Sequence, residues 1–156
     1  MRSALMVGAL VLATGVVVAA QASARSGASG GGTFAVTSSK STTRKVGPVT
    51  LYDLRQNVRW TGPISGSAPE LLWEVVSPSG ASFSGVDVCA CVGAGGAKGT
   101  VTITFHGTDD GKVYSGTLTV SGGTGGLTGF QGHGTFRGSD KTGRGTYKGV
   151  FQGGNG

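Results

Sequence analysis

GGTGGLTGFQGHGTFRG, residues 122–138, carries eight glycines in seventeen positions. Three readings compete for such a run: a phosphate-cradling loop, a disordered tail, or strands that need glycine for packing. The phosphate loop fails on context. The stretch has no G-x-G-x-x-G spacing, and no helical pattern follows it to aim an N-terminus at an anion. Gly93–Thr100 (GAGGAKGT) resembles such a loop only superficially, because it runs straight into the strand-like Val101–Phe105.

Working outward, the pattern is period two, in Thr- and Val-rich runs bounded by Gly, Pro, Asp and Ser. The candidate strands are Thr33–Ser38, Pro48–Asp53, Asn57–Thr61, Glu70–Ser77, Ser82–Val92, Gly99–Gly107, Lys112–Ser121, Gly129–Gly138 and Gly143–Gln152. Eight or nine short strands predict an all-β barrel or sandwich.

Asp110-Gly111 predicts a two-residue hairpin turn. That register sets Val101, Ile103, Phe105 and Gly107 against Val120, Leu118, Gly116 and Tyr114 on one face. With Ser139–Thr142 as the next loop, Phe136 meets Gly145, Gly134 meets Tyr147, Gly132 meets Gly149 and Phe130 meets Phe151. Arg137 then stands opposite Arg144, a mild defect. Aromatic opposite glycine recurs in both hairpins. A ring covers the bare backbone, the missing side chain makes room for it, and glycine permits the coiling that closes a small sheet. Disorder would not produce that consistency.

Cys89 and Cys91 are two apart and share a face. A loop over Gly93–Lys98 turns them outward with Asp87, and puts Val86, Val88 and Ala90 inside. A register one residue different buries them instead. Three states stay open for the pair: a local disulfide, free thiols and an intermolecular bridge. A metal site is not expected, because two thiols need further ligands and His106 and His133 lie on other stretches, facing outward. Nor does the chain hold G-x-S-x-G or H-E-x-x-H. No cofactor is expected.

Among the acids, Glu74 alternates outward if Leu71, Trp73 and Val75 point in. Asp53 continues the Val49–Leu51 face and is the acid placed nearest an interior mouth, with a surface strand end as its other reading. The inward aromatics Phe34, Trp60, Trp73, Phe105, Tyr114, Phe130, Phe136, Tyr147 and Phe151 either line a ligand cavity or fill the interior.

Arg2, the apolar run Ala4–Ala20 and Ala22-Ser23-Ala24 read as a signal peptide over residues 1–24, with an uncleaved anchor as the alternative. Residues 25–32 read as a flexible leader, 33–152 as one β domain and 153–156 as a flexible tail. After cleavage the net charge is +5, from twelve Lys/Arg against seven Asp/Glu. These charges are scattered, with no aromatic-basic motif, so neither a nucleic-acid partner nor a membrane is expected for the exported chain.

GTF-x-V (Gly32–Val36), SGTLTVSGGTGGLTGFQGHGTFRG (Ser115–Gly138) and GTYKG (Gly145–Gly149) together resemble the allene oxide cyclase barrel-like superfamily. Bacterial secreted domains of unknown function in it are the nearer likeness, and plant dirigent proteins the more distant. The resemblance implies a closed antiparallel barrel of eight strands with a mostly apolar cavity, and oligomers. Its characterised members guide cyclisations by confining a reactive substrate. No inward glutamate or asparagine set aligns with theirs. The expected function is therefore a non-catalytic secreted barrel that binds a small apolar ligand or serves an extracellular interaction. The alternatives are a cyclase or isomerase acting by confinement, and a thiol-based redox or metal protein using Cys89 and Cys91.

Overall fold

A computed structural model describes residues 27–153. The signal-peptide reading lies outside those residues. Eight strands follow one another: β1 (Ala28–Val46), β2 (Val49–Thr61), β3 (Ile64–Ser77), β4 (Gly80–Gly93), β5 (Lys98–Asp109), β6 (Val113–Gly123), β7 (Gln131–Ser139) and β8 (Arg144–Gln152). All neighbours are antiparallel, and β8 pairs with β1 to close the barrel in chain order. Closure removes the sheet edge that an open meander would leave exposed.

Two expected boundaries move. The expected strands Pro48–Asp53 and Asn57–Thr61 merge into the single strand β2, with Pro48 left in the turn before it. Residues Ala28–Gly32 are no leader but strand, laddered to Phe151–Tyr147.

The β5–β6 and β7–β8 hairpins keep their predicted faces but slide by two residues. Asp110 carboxylate Oδ1 accepts the Lys112 and Val113 amides at 2.9 and 2.8 Å, and the Asp110 amide donates to the Val113 carbonyl. The turn residues are thus Gly111 and Lys112, with glycine first at φ +81°, where a type II′ turn places it. Ile103 pairs with Val120 and Phe105 with Leu118. In β7–β8, Gly143 takes φ +60° and so belongs to the loop; its amide donates to the Ser139 carbonyl at 2.8 Å. Phe136 then pairs with Tyr147, and Arg137 meets Thr146 rather than Arg144.

The aromatic-over-glycine rule survives on other ladders. Phe34 pairs with Gly145, Phe83 with Gly107, Phe105 with Gly85, Tyr114 with Gly138 and Phe151 with Gly132. At each of these glycines a Cβ would collide with the facing ring.

Between β4 and β5 the face itself is reversed. Gly93 and Ala97 close a short turn through an amide–carbonyl bond of 2.8 Å, with Gly95 and Gly96 both at positive φ. Val92 pairs with Lys98, one residue from the predicted register, and a one-residue slip exchanges the faces of a strand. Asp87, Cys89 and Cys91 are buried, whereas Val88 and Val92 face out.

Candidate functional site

The barrel is filled at one end and hollow at the other. Towards the Thr61–Ile64, Gly93–Lys98 and Gly123–Gln131 connections, Ile64, Cys91, Val101, Val120, Leu127, Phe130 and Phe151 form a packed plug. Leu127, on the short 3₁₀ turn Gly125–Leu127, is buried and closes the floor. Cys89 and Cys91 are joined to each other within this plug, Cα atoms 5.3 Å apart. The other end holds a cavity of about 420 Å³. Its walls are Phe34, Trp60, Phe83, Phe105, Tyr114 and Phe136, with Leu54, Val58, Leu72 and Leu118 between them.

Of the sequence-predicted candidates, Trp60, Phe105, Tyr114 and Phe136 line this cavity. Phe130, Tyr147 and Phe151 are buried in the core. Tyr147 donates its hydroxyl to the Thr61 carbonyl at 2.9 Å, and burial pushes its pKa up to about 12. Two candidates stand elsewhere. Trp73 is 47% exposed on the outer face, between Leu71 and Val75, and Asp53 is its exposed partner on β2.

The reversal of β3 explains Trp73, while Asp53 takes its surface reading because β2 turns Leu54, Val58 and Trp60 inward. Strand β3 sends Glu70, Leu72 and Glu74 inward, so Leu71, Trp73 and Val75 point to solvent. Its apolar residues occupy both parities, and hydrophobicity alone chose the wrong face. Phe105, by contrast, is held inward by the glycine beneath it on β4.

The inward acids, with Ser39 and Gln56, make the polar part of the site. Glu70 and Asp87 are direct partners across the β3–β4 ladder, 7% and 0% exposed. Trp60 donates its indole N–H to Asp87 Oδ2 at 2.9 Å, while Oδ1 is buried without a hydrogen-bond partner. Burial first, then the Asp87 charge and hydrogen bond, together raise the Glu70 pKa to about 9. Asp87 is also raised by burial, against the Trp60 and Glu70 hydrogen bonds that lower it. Near neutrality Glu70 is the member that keeps its proton, since it lacks the indole donor that stabilises charge on Asp87. The proximity of Glu70, after burial itself, also helps hold the Tyr114 phenol up, to about 12.

A second acidic level rings the mouth. Glu74, four residues and ~13 Å along β3 from Glu70, lines the cavity with Asp109 and Asp140. Burial raises Glu74, and Asp109 and Asp140 add to it. Asp140 is raised to about 6 by partial burial and then by Asp109. Among the described residues that line the cavity, none is Lys, Arg or His. His106 and His133 lie exposed on the outer face.

No protein-family model matches the chain. A search of curated proteins likewise finds no match. Among solved structures, the fold is similar to a protein of unknown function from the DUF3224 family of Shewanella oneidensis MR-1, with a TM-score of 0.63. The two share 20% sequence identity over 83% of this chain and 99% of the other. The likeness is one of fold: an all-β, barrel-like architecture.

Proposed function

We propose that this protein is an exported, small-molecule-binding barrel of the allene oxide cyclase-like kind, which holds a mostly apolar ligand in its open half. One observation carries the reading: the same barrel packs one end solid and leaves an aromatic-walled space of about 420 Å³ at the other. Ligand pockets run to roughly 300–1,000 Å³, lined by apolar and aromatic groups with a few polar ones. A small β-barrel has enough side chains to fill its interior, so a half left open next to a half packed solid is the mark of a binding site. Export rests on the Arg2, Ala4–Ala20 and Ala22-Ser23-Ala24 pattern.

Trp60 reports on the space directly. In a Trp73→Phe background it is the sole tryptophan, and a small apolar probe such as phenethyl alcohol should change its emission saturably. Non-saturable or absent change would count against the reading.

A second reading is favoured by the Glu70–Asp87 pair: a confinement-type cyclase or isomerase. A neutral carboxyl at the wall of an apolar cavity is a proton donor, and a carboxylate behind it can take a proton back. Loss of turnover in Glu70→Gln, with binding retained, would distinguish this from simple carriage once a substrate is in hand.

A further inference from the structure

The ligand class follows from where the charge lies, if the open half is a binding site as proposed above. The chain is basic overall, at +6, yet five of its seven acids line or back this one cavity: Glu70, Glu74, Asp87, Asp109 and Asp140. No basic side chain among the described residues lines the space to neutralise them. The deep pair is also incompletely satisfied. Glu70 is more than nine-tenths buried and borders the cavity, and the group its carboxyl meets is Asp87, another acid. Behind it, the Oδ1 atom of the fully buried Asp87 lacks any hydrogen-bond donor.

We infer that the cavity selects hydrophobic amines, seating the ammonium against Glu70 with the apolar body on the aromatic walls. Both halves of the wall chemistry favour that head group. An ammonium supplies donors to the Glu70 carboxylate and the missing positive charge in a low-dielectric site, where a carboxylate counter-charge is worth far more than in water. The faces of Trp60, Phe34 and Tyr114 offer further attraction to a cation. The mouth acids Glu74, Asp109 and Asp140 raise the local concentration of cations on the way in and repel anions. A bare metal ion finds no such welcome, for the walls are mostly ring and aliphatic carbon, and no metal-holding cluster occurs among the described residues.

Binding has a proton signature. Glu70 faces Asp87 on β4 and Gln56 on β2 across its two ladders, and Tyr114 of β6 lines the same cavity, with Glu74 further along its own strand. Seating an ammonium there favours the ionised carboxylate, so the proton held by Glu70 leaves for the buffer.

The test compares phenethylammonium, phenethyl alcohol and phenylacetate, which share a ring and differ in head charge. Calorimetric titrations use the full chain at neutral pH, in buffers of different ionisation enthalpy. The amine should bind at least about tenfold tighter than the alcohol, phenylacetate should be weakest, and amine binding alone should release protons. Glu70→Gln, nearly isosteric with the protonated acid, should abolish the preference while still binding the alcohol. Glu74→Gln should weaken the amine less than Glu70→Gln does. Equal affinities for amine and alcohol in the wild type would overturn the inference and leave the apolar-ligand reading standing. Preference for phenylacetate would overturn it too, as would an amine preference that persists in Glu70→Gln. Failure of all three probes to bind would sink the binding reading beneath it. Should Glu70→Gln not fold, the wild-type selectivity and proton release decide alone.

Discussion

Glu70 on β3 and Asp87 on β4 face each other across the ladder inside the barrel, two buried carboxyls of which Asp87 also accepts the Trp60 indole N–H. The native state therefore binds a proton at Glu70 more tightly than the unfolded chain does. A raised carboxyl pKa stabilises the fold below the ordinary value near 4.5 and loses that contribution as pH rises through about 9. Thermal unfolding should show a melting temperature that falls between pH 5 and pH 9, with Glu70→Gln flattening the decline. An unchanged slope in that variant would remove Glu70 as its source.

Phe136 is buried among Phe34, Phe83, Phe105 and Tyr114, with ring centroids 6.1–6.4 Å away. Phe136→Ala should cost about 3–5 kcal/mol in denaturant unfolding. Thr135→Ala, on the exposed side of the same strand, should stay within about 0.5 kcal/mol. Similar losses at both positions would contradict the face assignment of β7.

Gly145 lies beneath the Phe34 ring, and a methyl group there has no room. Gly145→Ala should destabilise by about 1–3 kcal/mol, the range for overpacking a filled site. Pairing it with Phe34→Leu should recover part of the loss in a double-mutant cycle, because the two act through one contact. Strict additivity would mean that ring and glycine do not meet.

The Cys89–Cys91 link spans two residues and closes almost no chain, so it restricts the unfolded state very little. Denaturation without reductant should expose no titratable thiol. Reduction should liberate both while shifting the denaturation midpoint only slightly. A large shift would assign the pair a structural weight that loop closure does not supply.

Much of the fold was legible because backbone chemistry writes itself into composition. Period-two alternation and recurring glycines pointed to an all-β sheet, and the alternation placed Ile103, Leu118, Val120, Phe136 and Tyr147 on the correct face. Registers were less legible. A two-residue slide at Gly111–Lys112 and Gly143 preserves faces and so leaves no trace in the hydrophobic pattern. At β4 the pattern actively misled: Val86, Val88 and Val92 alternate as a core strand would, yet that face holds Asp87, Cys89 and Cys91 inside. Two signals were available there, Gly85 as the bed for Phe105 and paired glycines at 95 and 96 that favour a short turn. The carboxyl pair was hidden for the same reason, since an inward acid reads as a surface acid until both of its strands are placed.

The barrel is hollow at one end and packed at the other, and methyl-resolved NMR tests this most directly. Titrating phenethylammonium into the protein should shift the methyl signals of Leu54, Val58, Leu72 and Leu118, which border the cavity. Those of Ile64, Val101, Val120 and Leu127 in the plug should stay still. Shifts confined to Leu71, Val75 and Val88 on the outer face, or spread evenly through the plug, would contradict the central claim.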